Sequence, residues 1–251
     1  MVSGRLGGAA LTASGEHRPP ARRMRAAVRP RVLVIDVGGT HVKLWIAGRR
    51  EPLKIDSGPA MTARQMVAAV RDATVEWAFD VITLGYPGPV VHGHPMREPY
   101  NLGGGWVGFP FSRALGHPVK VINDAALQAM GSYEGGHMLF LGLGTGLGSA
   151  LILHGAEVPL ELAHLPYHKG RTYEEYLGDA ARKRLGKTRW RRHVADVCAL
   201  LMQALLADYV MIGGGNVKHL GALPDGARLG SNANVLRGGY RLWLPPERRA
   251  R

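Results

Sequence analysis

One carboxylate and three glycine-rich junctions carry most of the chemistry that this sequence offers. Asp124 follows the strand-like run VKVI in VINDAALQA. A carboxylate at a strand end can orient a hydroxyl and accept its proton as a new P–O bond forms. Asp124 can equally cap the helix that starts near residue 125, a post for which Asn123 competes. The glycine-rich junctions are VIDVGGTHVK, LGLGTGLGSA and VMIGGGN, each behind an apolar run. Glycine lets backbone N–H groups approach an anion closely. Gly38, Gly39 and Thr40, then Gly144, Thr145 and Gly146, then Gly214 and Gly215, are therefore candidate phosphate contacts. Each loop alone reads just as well as a plain turn. Several of them, with an acid between, point to phosphoryl transfer onto a small-molecule hydroxyl. The loops do not follow GxxxxGK[ST], and GLGTGLG lacks the GxGxxG pattern, so neither a P-loop nor a dinucleotide fold is indicated.

Other residues complete the candidate constellation. Asp36 ends the first strand beside GGT, where it can hold Mg²⁺ through water or merely cap the turn. Glu161 and His164 in ELAHLP are three positions apart and can meet adjacent hydroxyls of a polyol; a structural hydrogen bond to backbone is the alternative for the histidine. Asn101 in YNLGGGW offers both a donor and an acceptor, and Trp106 is a candidate apolar wall. His41, His92, His94, His137, His168 and His193 lack zinc-like spacing with acids or cysteine.

The elements that must position these groups follow from periodicity. RVLVIDV, HVKLWIA and EPLKIDS read as three strands, residues 62–78 as a helix, and DVITLGY as a fourth strand. GPVVHGHPMREPYNLGGGWVGFPF is loop-rich and too long for an idle connection. PVKVI is a strand, NDAALQAMGSYE starts a helix, and HMLFLGLG with GSALILH forms a hairpin around GTG. Thr172 is a candidate cap for a helix containing Glu174 and Glu175. An amphipathic helix covers 188–207, DYVMIG is a strand, and GGGN leads into a short helix. The order β-β-β-α-β thus occurs twice, a weak internal repeat.

A chain of 251 residues with 46% hydrophobic content can bury a substantial core. Cys198 is the sole cysteine, which excludes an intramolecular disulfide and fits a reducing, cytoplasmic setting. No run approaches the apolar length of a membrane span. The net charge of +13 gathers in the first 31 residues, in ARKRLGKTRWRR and at the C-terminus. Such charge attracts any polyanion, nucleic acid or polyphosphate alike, and equally describes a solvated surface.

In motif order the chain resembles the ROK sugar-kinase family, in particular its polyphosphate glucokinase branch, from Val32 to about His219. DVGGTHVK, which adds Lys43 to the first loop, and LGLGTGLGSALI match the family's two phosphate motifs. GYPGPV, NLGGGW and INDA match its sugar-site segments, and ELAHLP followed by GRTYEEYLG matches its ExGH sugar signature. GGGN resembles the adenosine-side motif. Two departures stand out. Ala163 replaces the glycine of ExGH, and HKGRTYEE stands where many members carry a cysteine-rich zinc motif.

The resemblance implies Asp124 as general base, with Asn101, Asn123, Glu161, His164 and Glu174 contacting the sugar. It implies a two-lobed actin-like ATPase (ribonuclease H-like) α/β fold with a central cleft. It further implies a homodimer, Mg²⁺, and polyphosphate or ATP as the donor to O6 of glucose. The expected division is a flexible basic extension (1–30), a small N-terminal α/β lobe (31–122) and a larger C-terminal α/β lobe (123–251). Membrane and nucleic-acid partners are not expected. Two alternatives stay open: a kinase for another hexose or an N-acetylhexosamine, and a non-catalytic sugar-binding regulator.

Overall fold

The structure, a computed structural model, describes residues 30–231 and 234–250. The expected basic extension, apart from Pro30, lies outside the described residues.

Two five-stranded sheets organise the chain. The first is built from β1 (Val32–Val37), β2 (His41–Trp45) and β3 (Leu53–Asp56), then, after α1 (Ala63–Ala73), from β4 (Val81–Tyr86). Thr62 and Gln65 start α1 with reciprocal side-chain-to-backbone hydrogen bonds, which satisfy amide groups that the first turn leaves without partners. The region read from sequence as loop holds a short hairpin, β5 (Val90–Val91) with β6 (His94–Pro95), and α2 (Phe111–Leu115). β7 (Val119–Asn123) closes the sheet in the order β3-β2-β1-β4-β7, with β1, β4 and β7 parallel.

α3 (Asp124–Ser132) leads to the second sheet. β8 (His137–Leu143), β9 (Leu147–Leu153) and β10 (Ala156–Val158) form an antiparallel meander. A small hairpin, β11 (Pro166–His168) with β12 (Arg171–Thr172), precedes α4 (Glu174–Leu177), α5 (Asp179–Leu185) and α6 (Lys187–Ala204). β13 (Tyr209–Gly213) and β14 (Ala227–Leu229) run parallel to β8, giving the order β10-β9-β8-β13-β14. The last α-helix of the described residues is α7 (Asn234–Arg241), followed by a 3-10 turn at Pro246–Arg248. Thr172 and Glu175 exchange hydrogen bonds at the entry to α4, as the candidate cap required. Along α6, Val194, Val197 and Leu201 are buried at helical spacing.

The two-lobed actin-like ATPase (ribonuclease H-like) arrangement with a central cleft is corrected by this topology. The chain is an α/β fold of two sheets that share a helical layer. α7 returns to the first sheet, where Thr83 Oγ1 donates to the Gly239 carbonyl at 2.8 Å and Trp243 Nε1 donates to Thr83 Oγ1 at 3.0 Å. Lys120 Nζ donates to the Leu242 carbonyl at 2.8 Å. Arg241, fully buried, donates from Nη1 to the carbonyls of Met130 and Tyr133 at the end of α3. Val32 and Val34 of β1 consequently share one core with α3, α7, β8, β9 and β13. Burial of that apolar surface holds the sheets together rather than leaving them apart. α1 covers the outer face of the first sheet, and α4–α6 cover that of the second. Among the described residues no helix is long and apolar enough to cross a membrane.

Candidate active site

The strand ends and loops of both sheets meet around a pocket of about 430 Å³. Asn123, Asp124, Gly144, Thr145, Gly146, Glu161, His164, Glu174 and Gly214 all line it. Pro87 and Gly88 of the GYPGPV segment line it too, as do Gln128 and Phe140, which were not singled out from sequence. Gln128 follows Asp124 by four residues on α3, one helical turn, and that spacing was the available signal.

Asn123, not Asp124, caps α3. Its Oδ1 accepts from Ala125 N–H at 2.9 Å and Ala126 N–H at 3.1 Å, while its Nδ2 donates to the Gly88 carbonyl at 2.9 Å. That leaves Asn123 one free N–H for a ligand. Asp124 accepts from Ala125 N–H at 2.8 Å and is otherwise open to the pocket. Its carboxyl is raised to about 7, first by burial and then by the nearby charge of Asp36, with Glu161 adding a smaller push.

The β1–β2 turn stands beside the pocket rather than in its lining. Asp36 forms an ion pair with Lys43 at 3.5 Å. Burial raises the Asp36 carboxyl and Lys43 opposes that rise. A Cβ on Gly39 would stand 3.0 Å from the Cβ of Asn101, so exposed Asn101 adjoins the first glycine loop. Gly38 and Thr40 complete that turn, and the Gly38 carbonyl accepts from Ser57 Oγ at 2.6 Å. Trp106 is no sugar wall: it is fully buried against Tyr86 and Phe111, with Nε1 donating to the Gly103 carbonyl. Glu161 and His164 are both exposed at the rim, and Glu161 Oε1 accepts from Ala163 N–H at 3.3 Å.

Long-range hydrogen bonds stitch the second and third glycine loops into one surface. Asn216 Nδ2 donates to the Gly144 carbonyl at 2.8 Å, and Asn216 N–H donates to the Leu143 carbonyl at 2.9 Å. Gly214 has φ +87°, and a Cβ there would run into the Leu143 carbonyl. Gly215 faces open space, where an added methyl group would meet nothing.

Glu174 has a place in this network that the sequence did not reveal. One carboxylate oxygen accepts from Leu147 N–H at 3.1 Å and abuts Gly146, while its own N–H donates to the Ala163 carbonyl at 3.0 Å. It therefore ties the GTG loop to ELAHLP. Glu174→Ala strips a part-buried amide of its acceptor, so hydrogen exchange at Leu147 is expected to speed up by about tenfold or more. Unchanged exchange at that amide would show that the loop does not depend on Glu174.

Among the described residues no group of three or more His, Cys, Asp or Glu side chains converges as a metal cage. Magnesium does not need one. It keeps several waters and takes one or two carboxylates together with phosphate oxygens. The partly buried Asp36 carboxylate, beside the pocket and close enough to Asp124 to raise its carboxyl, fits that requirement.

No protein-family model matches the chain. A polyphosphate glucokinase of Mycobacterium tuberculosis is 27% identical over 209 residues, covering 72% of this chain and 76% of the relative. The inorganic polyphosphate/ATP-glucomannokinase of Arthrobacter sp. strain KM has a similar structure, with TM-score 0.67 and 24% identity over 84% of this chain and 97% of that one. The ROK hexokinase of Thermus thermophilus also gives TM-score 0.67, at 20% identity over 84% of this chain and 97% of that one. These structural likenesses are of fold, and the fold is the two-sheet arrangement described above. In sequence the chain is thus similar to polyphosphate glucokinases, and in fold to solved sugar kinases.

Proposed function

We propose that the protein is a sugar kinase that transfers a phosphoryl group from polyphosphate or ATP to a hexose, at O6 of glucose. The observation that carries this reading is Asp124, a carboxyl raised to about 7 in a pocket that also holds the Gly144–Gly146 loop and Gly214. A base whose pKa lies near the working pH combines a populated basic form with useful proton affinity. The sugar hydroxyl gives its proton to Asp124 as its oxygen bonds to phosphorus, and the donor's bridging P–O bond breaks. Backbone N–H groups of the glycine loops and the Thr145 hydroxyl hold the phosphoryl oxygens. Glu161, His164 and the free amide hydrogen of Asn123 are available to the sugar's other hydroxyls. Asp36 would hold Mg²⁺ through water, and the ion when bound would offset phosphate charge. A matrix of purified protein against ATP or polyphosphate, and glucose, mannose or N-acetylglucosamine, tests the reading directly. No turnover with any pair would end it.

The basic segment supports polyphosphate as a donor. Arg182 and Lys183 share Asp179, and Arg184 is engaged by the Glu175 carbonyl and the Tyr176 ring. Lys187 and Lys218, with Arg182, bear on His219, whose pKa is lowered by partial desolvation and then by these cations. His219 lies just past the GGGN loop, so this positive group extends the phosphate surface. Repeated cations suit a repeated anion and raise its local concentration. Reversing charge in a Lys187→Glu/Lys218→Glu protein is expected to raise KM for polyphosphate about tenfold, and KM for ATP much less. Equal changes for both donors would remove the segment from donor choice.

A further inference from the structure

Two histidines remote from the pocket face each other across the open end of the β8–β9 hairpin. The antiparallel register pairs His137 with Leu153, so His154, one residue on, arrives beside the His137 ring. Their Nε2 atoms stand 3.0 Å apart, with the ring planes at 74°. Both backbones are fixed there. His137 N–H donates to Asp208 Oδ2 at 2.7 Å, and His154 N–H donates to the Gly136 carbonyl at 3.1 Å. The His137 ring is oriented as well, because its Nδ1 lies 3.4 Å from the Leu206 carbonyl. A carbonyl can only accept, so Nδ1 carries the ring proton and Nε2 keeps its lone pair. That tautomer ligates metals, and a carbonyl on the other ring nitrogen is the usual way to hold it. Two bonds of about 2.0–2.1 Å to one ion, at angles between square and tetrahedral, separate the nitrogens by roughly 2.9–3.4 Å. The observed separation falls inside that range, and exposed His154 can turn its ring toward an ion.

We propose that His137 and His154 form a metal site of their own, a two-histidine chelate for a divalent transition ion such as Zn²⁺, Ni²⁺ or Cu²⁺, with water filling the remaining positions. Without metal, His154 Nε2–H donates to His137 Nε2. In the chelate the ion takes the place of that proton, which exchanges with solvent, and His154 carries its ring proton on Nδ1 instead. Imidazole nitrogen suits these ions and not Mg²⁺, a hard cation that takes oxygen. The site is therefore chemically separate from the Asp36 carboxylate. It is separate in space too: β8 runs from His137 to Leu143, which at 3.4 Å per residue puts the pair about 20 Å from the GTG loop. The proposal is thus independent of the sugar-kinase reading. A bound ion would clip the start of β8 to the end of β9. The two histidines are 17 residues apart in the chain, outside local zinc spacings, and only the hairpin brings them together.

The test uses the whole 251-residue chain without an affinity tag, and the metals themselves as probes. Calorimetry with Zn²⁺ and with Ni²⁺ is expected to show one strong site per chain, undisturbed by Mg²⁺ at equal concentration. His137→Gln and His154→Asn should each weaken that site at least about tenfold, since the second imidazole binds intramolecularly once the first holds the ion. Asn is chosen at 154 because it tolerates the φ of +49° there, so this variant decides should His137→Gln fail to fold. His168→Gln, in the exposed ring cluster with Tyr176 and His193, is the control and should leave affinity unchanged. Paramagnetic resonance of the Cu²⁺ complex gives a separate readout: two coordinating imidazole nitrogens in the wild type and one in either variant. Zn²⁺ should also raise the melting temperature of the wild type by a few degrees, but not that of His154→Asn. A strong site that survives both variants, falls only with His168→Gln, or yields to equal Mg²⁺ lies elsewhere and overturns the proposal. Binding no tighter than in the variants, or a single copper-bound imidazole, would mean that the rings only hydrogen-bond to each other, and overturns it as well.

Discussion

Asp124→Asn is expected to lower kcat about 10²–10⁴-fold, the usual cost of removing a general base. The acceptor's KM should change far less, because Asn keeps the size of the side chain and can still accept from Ala125 N–H. The pH dependence makes this sharper. With its carboxyl raised to about 7, Asp124 becomes a base only as pH rises through that value. Turnover of the wild type should therefore climb from pH 5, reach half its plateau near pH 7 and level off only about a unit above, and the small residual turnover of Asp124→Asn should lack that limb. A wild-type profile flat across this range would remove Asp124 from the proton transfer.

The raised carboxyl also bears on stability. Burial lifts the folded-state pKa of Asp124 above the ordinary 3.8, so between those values the folded chain holds a proton that the unfolded chain has released. Stability from the neutral carboxyl is full below about 4 and declines as pH rises through about 7. The decline is on the order of a few kcal/mol, because every tenfold difference in proton affinity between folded and unfolded chain corresponds to about 1.4 kcal/mol. The neutral amide of Asp124→Asn avoids it, so the variant should melt higher than the wild type at pH 8 and at a similar temperature at pH 4. Paired thermal melts at the two pH values check the sign.

Gly214→Ala is the second substitution expected to have a large effect. Its φ of +87° strains any residue with a Cβ, and that atom would collide with the Leu143 carbonyl. The backbone conformation alone costs about 1–3 kcal/mol, before the collision is relieved. Relief must move the 214–216 turn away from β8, breaking the Asn216 bond to Leu143 and spoiling the surface shared with Gly144. A loss of donor-dependent turnover of at least about tenfold, with a rise in donor KM rather than acceptor KM, is the expected result. Gly215→Ala is the internal control, since its Cβ would enter open space and should change little. Equal behaviour of the two variants would show that the turn does not shape the donor surface.

Much of this site was legible in the chain itself. Strands such as VLVIDV and HMLFLGL are near-continuous apolar runs, and the glycines after them mark where the backbone must turn. Asp124, the GTG loop and ELAHLP could thus be named as site candidates from types and spacing, because strand, turn and cap preferences act between near neighbours. The contest between Asn123 and Asp124 for the helix cap was visible too, but not its outcome. That outcome depended on Gly88, 35 residues away, which fixes the Asn123 amide and leaves Asp124 facing the pocket.

Tertiary structure decided what depends on distant partners. Trp106 stood next to a plausible sugar segment, yet Tyr86 and Phe111 bury it. Gly213, Gly214 and Gly215 are identical letters, but only the folded chain shows that Phe140 crowds the first, Leu143 crowds the second and the third faces open space. Glu174 is distinguished by Leu147, and the Asp124 carboxyl is raised first by burial and then by Asp36, 88 positions earlier. α7 turned an expected pair of separate lobes into two sheets sharing one core, since its apolar face found β1 and α3. Periodicity records how a segment will fold and which side it will bury. Desolvation, charge coupling and steric conflict are set by whichever atoms arrive from elsewhere, and those are known only once the sheets have closed on their shared helices.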